Sequence, residues 1–372
     1  MKDTILFGDC KETLSAFLPQ SARTCVTSPP YYGLRDYGTA TWIGGDPNCK
    51  HRKVGKQGSN CITGHKNHDD MGSVGDYIFK SVCPLCGAVR QDSQIGLEES
   101  PEEYVESLVN VFRSVRDVLT DDGTLWVNLG DSYYNYRPGK GQSYPKQSVS
   151  KTKQDLPDEC NKRGKKLDGL KEKDLIGIPW LFAFAMRKDG WYLRQDIIWH
   201  KPNPMPESVR DRCTKSHEYI FLFSKNRKYF YNNEAIKEPA KDWGTRDRTN
   251  GKYHNTGTGL QPHSGLSKSY PTKNKRSVWS VTVKPYKEAH FATYPPDLIE
   301  PCILAGSEEG DTILDPFMGA GTTAAVAKSL NRYYIGCELN EDYGNLIQKR
   351  IQDYQPVNKV AQEPCINILD II

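Results

Sequence analysis

Short apolar runs alternate with amphipathic stretches through most of this 372-residue chain. Residues 4–7 and 23–27 read as buried strands, with a short helix over 11–17 between them. The second strand runs into Ser28-Pro29-Pro30-Tyr31-Tyr32-Gly33, where two fixed φ angles and two missing amide protons must end it. Tyr104, Leu108, Val111, Phe112, Val115 and Leu119 recur at helical spacing, and Ser100 followed by Glu103 has the form of a capping box. Asp121-Asp122-Gly123 predicts a turn into a buried strand over 124–129. Further helices are predicted over 178–189, 295–305, 322–330 and 342–354, and further strands over 192–199, 217–224, 312–314 and 333–337. This alternation predicts an α/β fold with a parallel, doubly wound sheet covered on both faces. Such a sheet binds ligands beyond the carboxyl ends of its strands.

Three stretches break the pattern. Residues 36–95 form an insertion rich in Gly, Asn, Cys and His. Residues 137–173 are polar and rich in Lys and Gly, and read as a flexible loop. Residues 234–287 hold few apolar positions and no clear period. The core is expected in three parts, 1–35, 96–224 and 290–372, and no internal repeat is seen.

Composition narrows the class. No apolar run approaches the ~20 residues needed to span a bilayer, and the apolar stretch after Met1 is too short for a signal peptide. A cytoplasmic protein with no membrane partner is expected. Its eleven cysteines are then reduced thiols or metal ligands rather than disulfides. The net charge of +4 hides an asymmetry. Residues 137–173 carry eleven Lys/Arg against five Asp/Glu, and residues 237–287 carry eleven against three. Two basic segments on an acidic remainder point to a polyanion.

Two constellations carry candidate chemistry. In Ile313-Leu314-Asp315-Pro316-Phe317-Met318-Gly319-Ala320-Gly321-Thr322-Thr323 a strand leads through a glycine turn into a helix. The glycines let backbone approach a ligand, and Asp315 stands where a carboxylate can pair with a cationic amine. Glu338 ends the next strand and can accept both hydroxyls of a ribose. The turn lacks the longer glycine spacing of dinucleotide sites and has no phosphate-loop Lys, which argues against NAD and ATP. In the second constellation, Pro29 and Pro30 fix the backbone beside Ser28 and Tyr31. An exocyclic base amine is a poor nucleophile because its lone pair is delocalised into the ring. The Ser28 hydroxyl and the Pro29 carbonyl can accept its two hydrogens, and Tyr31 offers a flat face for an extruded base. Separately, Cys83-Pro84-Leu85-Cys86-Gly87 is a compact knuckle that lets two thiolates reach one metal. Cys49 and His51 can complete a structural zinc site, with Cys61, His65 and His68 as rival ligands.

On these motifs the chain resembles the beta class of S-adenosylmethionine-dependent DNA amino-methyltransferases, in which the catalytic motif precedes the cofactor motif. The resemblance covers most of the chain. It implies a Rossmann-like methyltransferase sheet with circularly permuted motif order and a target-recognition region over 225–289, with residues 36–95, read from their spacing as a zinc knuckle, inserted in it. Residues 1–35 and 96–224 would form the catalytic part of the core, and 290–372 the cofactor-binding part. S-adenosylmethionine would be held by Asp315, Phe317, Gly319, Gly321, Thr322 and Glu338. Gly8-Asp9-Cys10 is similar to the element whose Asp holds the cofactor adenine, and the segment carrying Phe291 and Thr293 resembles the one closing on its methionine end. Trp199-His200-Lys201-Pro202-Asn203 and Thr214-Lys215-Ser216-His217-Glu218 look like motifs around the base pocket.

In this class Ser at the first tetrapeptide position is usual in enzymes making 4-methylcytosine, and Asp in adenine enzymes. Ser28 therefore implies cytosine, with adenine-N6 as the alternative. Carbon methylation would need a thiolate, and Pro301-Cys302 and Pro364-Cys365 both read as packing residues. An RNA or protein amide methyltransferase usually carries Asn in place of Ser28 and the opposite motif order. A non-catalytic DNA-binding module would not need Ser28, Tyr31, Asp315 and Glu338 together. The expected partner is double-stranded DNA, contacted by Lys201. Lys162, Arg163, Lys165 and Lys166 are expected on phosphates, and Arg246, Arg248, Lys275 and Arg276 on base edges. A cognate restriction endonuclease and a homodimer are further candidate partners, and a bacterial, archaeal or phage origin is implied.

Overall fold

The structure is a computed structural model and describes residues 2–33, 39, 41–49, 54–55, 77–78, 82–83, 85–91, 93–98, 100–134, 169–240, 271–283 and 293–355. The first part of the chain forms β1 (Thr4–Phe7), α1 (Cys10–Thr13) and β2 (Ala22–Thr27). Short strands β3 (Thr41–Ile43), β4 (Val54–Gly55), β5 (Tyr77–Ile78) and β6 (Val89–Gln91) follow in the insertion. Then come α2 (Pro101–Val118), β7 (Leu119–Leu129), α3 (Ile178–Lys188), β8 (Tyr192–His200) and β9 (His217–Ser224). The last part holds β10 (Glu238–Pro239), β11 (Thr272–Lys273), β12 (Val278–Ser280), α4 (Pro296–Gly306), β13 (Thr312–Asp315), α5 (Thr322–Ser329), β14 (Tyr333–Glu338) and α6 (Gly344–Asp353).

Eight strands form one sheet in the order β1-β14-β13-β2-β7-β9-β8-β12. All neighbours pair in parallel except β9, which is antiparallel to both β7 and β8. The expected all-parallel sheet is therefore corrected to a mostly parallel one. Successive strand residues point to opposite faces, and each face is covered by helices. Leu125, Val127 and Leu129 pack with Phe112 of α2 and Phe182 of α3. Trp126, Ile220 and Ile313 pack on the other side with Ile299 of α4 and Ala324 of α5.

Local chemistry explains most element ends. The Ser100 side chain accepts from the Glu103 amide at 3.2 Å and caps α2, with Pro101 in its first turn. Asp121-Asp122-Gly123 is not a turn ahead of the strand, which is a second correction. Those residues lie inside β7, where the register with β2 shifts between Ala22 and Thr24, so the extra residues are absorbed as an irregularity. Val278–Ser280, in the stretch without a readable period, joins the sheet beside β8 through Trp279↔Trp199. Among the described residues no helix is long and apolar enough to cross a membrane.

The order of the sheet places β13 against β2. From β13 the chain proceeds toward β14, and from β2 it proceeds toward β7. The loops after β13 and β2 therefore diverge at their carboxyl ends, where open α/β sheets leave a crevice.

Candidate active site

That crevice is a cavity of about 270 Å³. Its walls include Asp9, Ser28, Pro29, Pro30 and Tyr31 from the first part of the chain, and Thr293, Phe317, Gly319, Thr322 and Glu338 from the last part. Both constellations predicted from the sequence thus face one space.

On the side of the β13 turn, Gly319 at φ +54° donates its amide to Glu338 Oε2 at 2.7 Å. The Asn340 amide donates to Glu338 Oε1 at 2.9 Å. Burial nevertheless dominates and pushes the Glu338 carboxyl up to about 7. Asp9 caps α1 by accepting the Lys11 amide at 2.9 Å.

Two predicted cofactor residues sit differently from expectation. Asp315 is fully buried behind the wall. Oδ1 accepts from Thr27 Oγ1 at 2.6 Å and the Phe317 amide at 3.0 Å. Oδ2 accepts from Thr323 Oγ1 at 2.5 Å and Tyr294 Oη at 3.1 Å. Burial holds its carboxyl above the usual range against these four donors. Its geometry is that of a buried knot joining β2, β13, α5 and the Tyr294 segment, with its acceptors turned inward. Gly321, at φ +81°, has Ile347 of α6 so close that a Cβ would lie 2.8 Å from Cγ2. Close packing of α5 on α6 accounts for that glycine.

On the catalytic side, Tyr31 Oη lies 2.8 Å from Glu218 Oε2 and 3.1 Å from Asn128 Oδ1. Its phenol is held well above the usual value, first by burial and then by the Glu218 charge. The ring packs over Gly130, where a Cβ would come within 2.5 Å of Cε2. Asn128 Nδ2 donates to Glu218 Oε2 at 3.3 Å and to the Tyr219 carbonyl at 3.1 Å. Those bonds turn Asn128 Oδ1 toward Ser28, whose hydroxyl lies 3.5 Å away. Tyr104 Oη donates to the Pro30 carbonyl at 2.8 Å and pins the proline turn from behind.

Lys201 was expected on DNA. It lines the cavity, with Nζ paired to Glu218 Oε1 and 4.2 Å above the Trp199 ring. Lys215, two residues before β9, donates to the Asp131 carbonyl at 2.9 Å, and burial lowers its ammonium pKa. Lys275 and Arg276 both pair with Glu238, at 3.7 and 3.2 Å, and only Arg276 is well exposed. Phe291, His51, Lys162, Arg163, Lys165, Lys166, Arg246 and Arg248 lie outside the described residues, as do Cys61, His65, His68 and Cys365. Cys302 is buried in α4 and burial raises its thiol pKa, so it stands as a packing residue.

In the insertion, the ligand atoms of Cys49, Cys83 and Cys86 all lie within 4.8 Å of one another. Cys49 Sγ and Cys83 Sγ are 3.9 Å apart. The knuckle closes through Gly87 N–H to the Cys83 carbonyl at 2.9 Å, with Gly87 at φ +73°. The Ala88 amide is the first cause of a lowered Cys86 thiol pKa.

Asn128 was not singled out from the sequence, and Thr27, Tyr294 and Thr323 stood there only as members of longer motifs, with no role of their own. Asn128 sits in a strand that reads as apolar, and nothing local marks it. Glu218 was visible only as part of a motif.

A family model described as DNA methylase, of the N6/N4 type, matches residues 22–349, and the chain belongs to this family. It is thus a DNA methyltransferase. It is 38% identical over 349 residues to the type II methyltransferase M.Cfr9I of Citrobacter freundii, covering 94% of this chain and 87% of that one. To the type II methyltransferase M.SmaI of Serratia marcescens it is 39% identical over 352 residues, covering 93% and 90%. Among solved structures, PvuII DNA methyltransferase (cytosine-N4-specific) matches with a TM-score of 0.54 at 15% identity, covering 96% of this chain and 89% of that one. This is a likeness of fold.

Proposed function

We propose that the chain methylates the exocyclic N4 amine of cytosine in double-stranded DNA, on a base flipped from the helix. The observation that carries this reading is the single cavity shared by Ser28, Pro29 and Tyr31 with Phe317, Gly319 and Glu338. In its motif order, 28–31 before 315–323, the core is a circularly permuted, Rossmann-like methyltransferase sheet. Residues 36–95 are read as its zinc-knuckle insertion and 225–289 as its target-recognition region.

The residues present suit S-adenosylmethionine. Glu338 is a buried carboxylate with lone pairs left for ribose hydroxyls, and Gly319 leaves the turn without a side chain. Asp9 stands at the adenine end, and Phe317 and Thr322 complete the wall. When bound, the cofactor supplies a methyl group already activated on a sulfonium, so the protein chiefly aligns the reacting partners. Ser28 Oγ and the Pro29 carbonyl accept the two amine hydrogens and return electron density to nitrogen. Asn128 Oδ1 takes the Ser28 hydroxyl hydrogen, which keeps Ser28 an acceptor toward the base. Glu218 and Lys201 hold Tyr31 and Asn128 in that arrangement. Asp315 positions the turn from behind.

The three thiols suit zinc. Tetrahedral Zn–S bonds of about 2.3 Å place sulfurs about 3.8 Å apart, close to the Cys49–Cys83 separation. His51 is the candidate fourth ligand, and the role is structural.

Nucleoside mass spectrometry of DNA from a host expressing the protein tests the base. 4-Methyldeoxycytidine is expected, lost in Ser28→Ala. 6-Methyldeoxyadenosine in its place would establish the adenine alternative.

A further inference from the structure

The insertion does more than carry cysteines. Thr39, Ser93, Gln94 and Ile95, from its two ends, line the same cavity as Ser28 and Tyr31. Between them the chain returns through an antiparallel ribbon, with Thr41↔Gln91 and Ile43↔Val89 in register. The ribbon is tied to the cysteine knuckle. Cys83 N–H donates to the Ala88 carbonyl at 2.7 Å, and Gly45 lies so close that a Cβ would sit 2.8 Å from Cys86 Sγ. The far end of the segment is fastened to the catalytic turn. Gly33 N–H donates to the Gly96 carbonyl at 2.8 Å, and a Cβ at Gly96 would come within 3.0 Å of the Tyr31 carbonyl.

Two buried groups on this wall are polar. Gln94 is 8% exposed. Thr39 Oγ1 is buried without a hydrogen-bond partner, an arrangement that is costly unless a ligand group completes it. Ser28 and the Pro29 carbonyl already account for the amine hydrogens of a flipped cytosine. What remains of its polar edge, N3 and O2, only accepts hydrogen bonds. A carboxamide N–H and a hydroxyl supply the matching donors.

We infer that Gln94 and Thr39 are specificity residues for the target base, donating to the N3 and O2 edge of the flipped cytosine, and that the cysteine knuckle holds them at the pocket. This rests on the cytosine reading given above.

The test uses the full-length enzyme and an oligonucleotide carrying the sequence that the wild type methylates. Gln94→Ala and Thr39→Val are compared with wild type for kcat/KM and, separately, for S-adenosylmethionine affinity by calorimetric titration. Gln94→Glu keeps the volume of the side chain and removes the donor, so it carries the test if Gln94→Ala fails to fold. Loss of a buried, specific donor is expected to lower kcat/KM about tenfold or more for Gln94 and severalfold for Thr39. Cofactor affinity is expected to stay within about twofold. A target in which 3-deazacytosine replaces cytosine lacks the N3 acceptor. It is expected to impair the wild type and to add little to the defect of Gln94→Ala. Unchanged kcat/KM in folded variants, a parallel fall in cofactor affinity, or additive defects with the modified base would each overturn the inference. A wild type that yields 6-methyldeoxyadenosine would instead remove the cytosine reading itself.

Discussion

Glu338 is pulled in two directions at its place on the cavity wall. Two backbone amides favour its charge, while burial raises its carboxyl from 4.5 to about 7. A raised acid gives the folded state an extra proton between those values. Its contribution to stability is therefore complete below about pH 4.5 and is lost as pH rises through about 7. Ribose hydroxyls donate to the ionised form, so cofactor binding should strengthen between pH 6 and 8 and release protons near pH 6.5. Calorimetry in buffers of different ionisation enthalpy reads this directly. Glu338→Gln should lose the pH dependence and bind more weakly by about 1.5–3 kcal/mol. Equal wild-type affinity at pH 6 and pH 8 would sink the ribose assignment. Asp315 should behave otherwise. Asp315→Ala removes the buried acceptor of the Thr27 hydroxyl, at about 1–3 kcal/mol for the donor left unpaired, while Thr323 and Tyr294 keep their bond to each other. Thermal melting should show a lowered Tm in the absence of cofactor, and an unchanged Tm would refute the buried-knot reading. The sequence shows a carboxylate at a strand end. It does not show which way the carboxylate faces, because the Thr27 donor is 288 residues away.

At the level of elements, amphipathic periodicity was informative and direction was not. The α2 stripe and its Ser100 cap are legible because both are local. The apolar run Tyr219 to Phe223 reads the same in either direction, so the reversal of β9 is invisible until its neighbours are known. That reversal matters, since it brings Glu218, at the start of a strand, to the end of the sheet where the other strands finish. β12 is three residues long, too short for any period. In the insertion, CxxC spacing gave Cys83 and Cys86 with Cys49 as a candidate further ligand, and the fold brings the three thiols together. Protein purified without chelator should contain one zinc per chain by metal analysis. A Cys83→Ser/Cys86→Ser variant should lose it, and near-zero zinc in the wild type would leave the knuckle a thiol cluster.

Across the whole molecule, two basic segments flank the cavity in sequence, and they are proposed to divide the work on DNA. Neutralising Lys162, Arg163, Lys165 and Lys166 together should weaken binding to all DNA about equally and flatten its salt dependence. Changing Arg246, Arg248, Lys275 and Arg276 should relax or alter the methylated sequence. Salt-titrated binding and methylome sequencing read the two outcomes, and a swap of the two phenotypes would show the assignment to be reversed. The sheet itself also has a consequence for how the enzyme is made. β2, which delivers Ser28, lies between β7 and β13, and Thr27 bonds to Asp315 across a separation of 288 residues. A ribosome adding about 5–20 residues per second needs roughly 15–60 s to cover that distance. During that interval the nascent chain holds its catalytic turn without the strand that fixes it. Methylation competence therefore arrives late in synthesis, when the last third of the chain slots into a gap left open by the first.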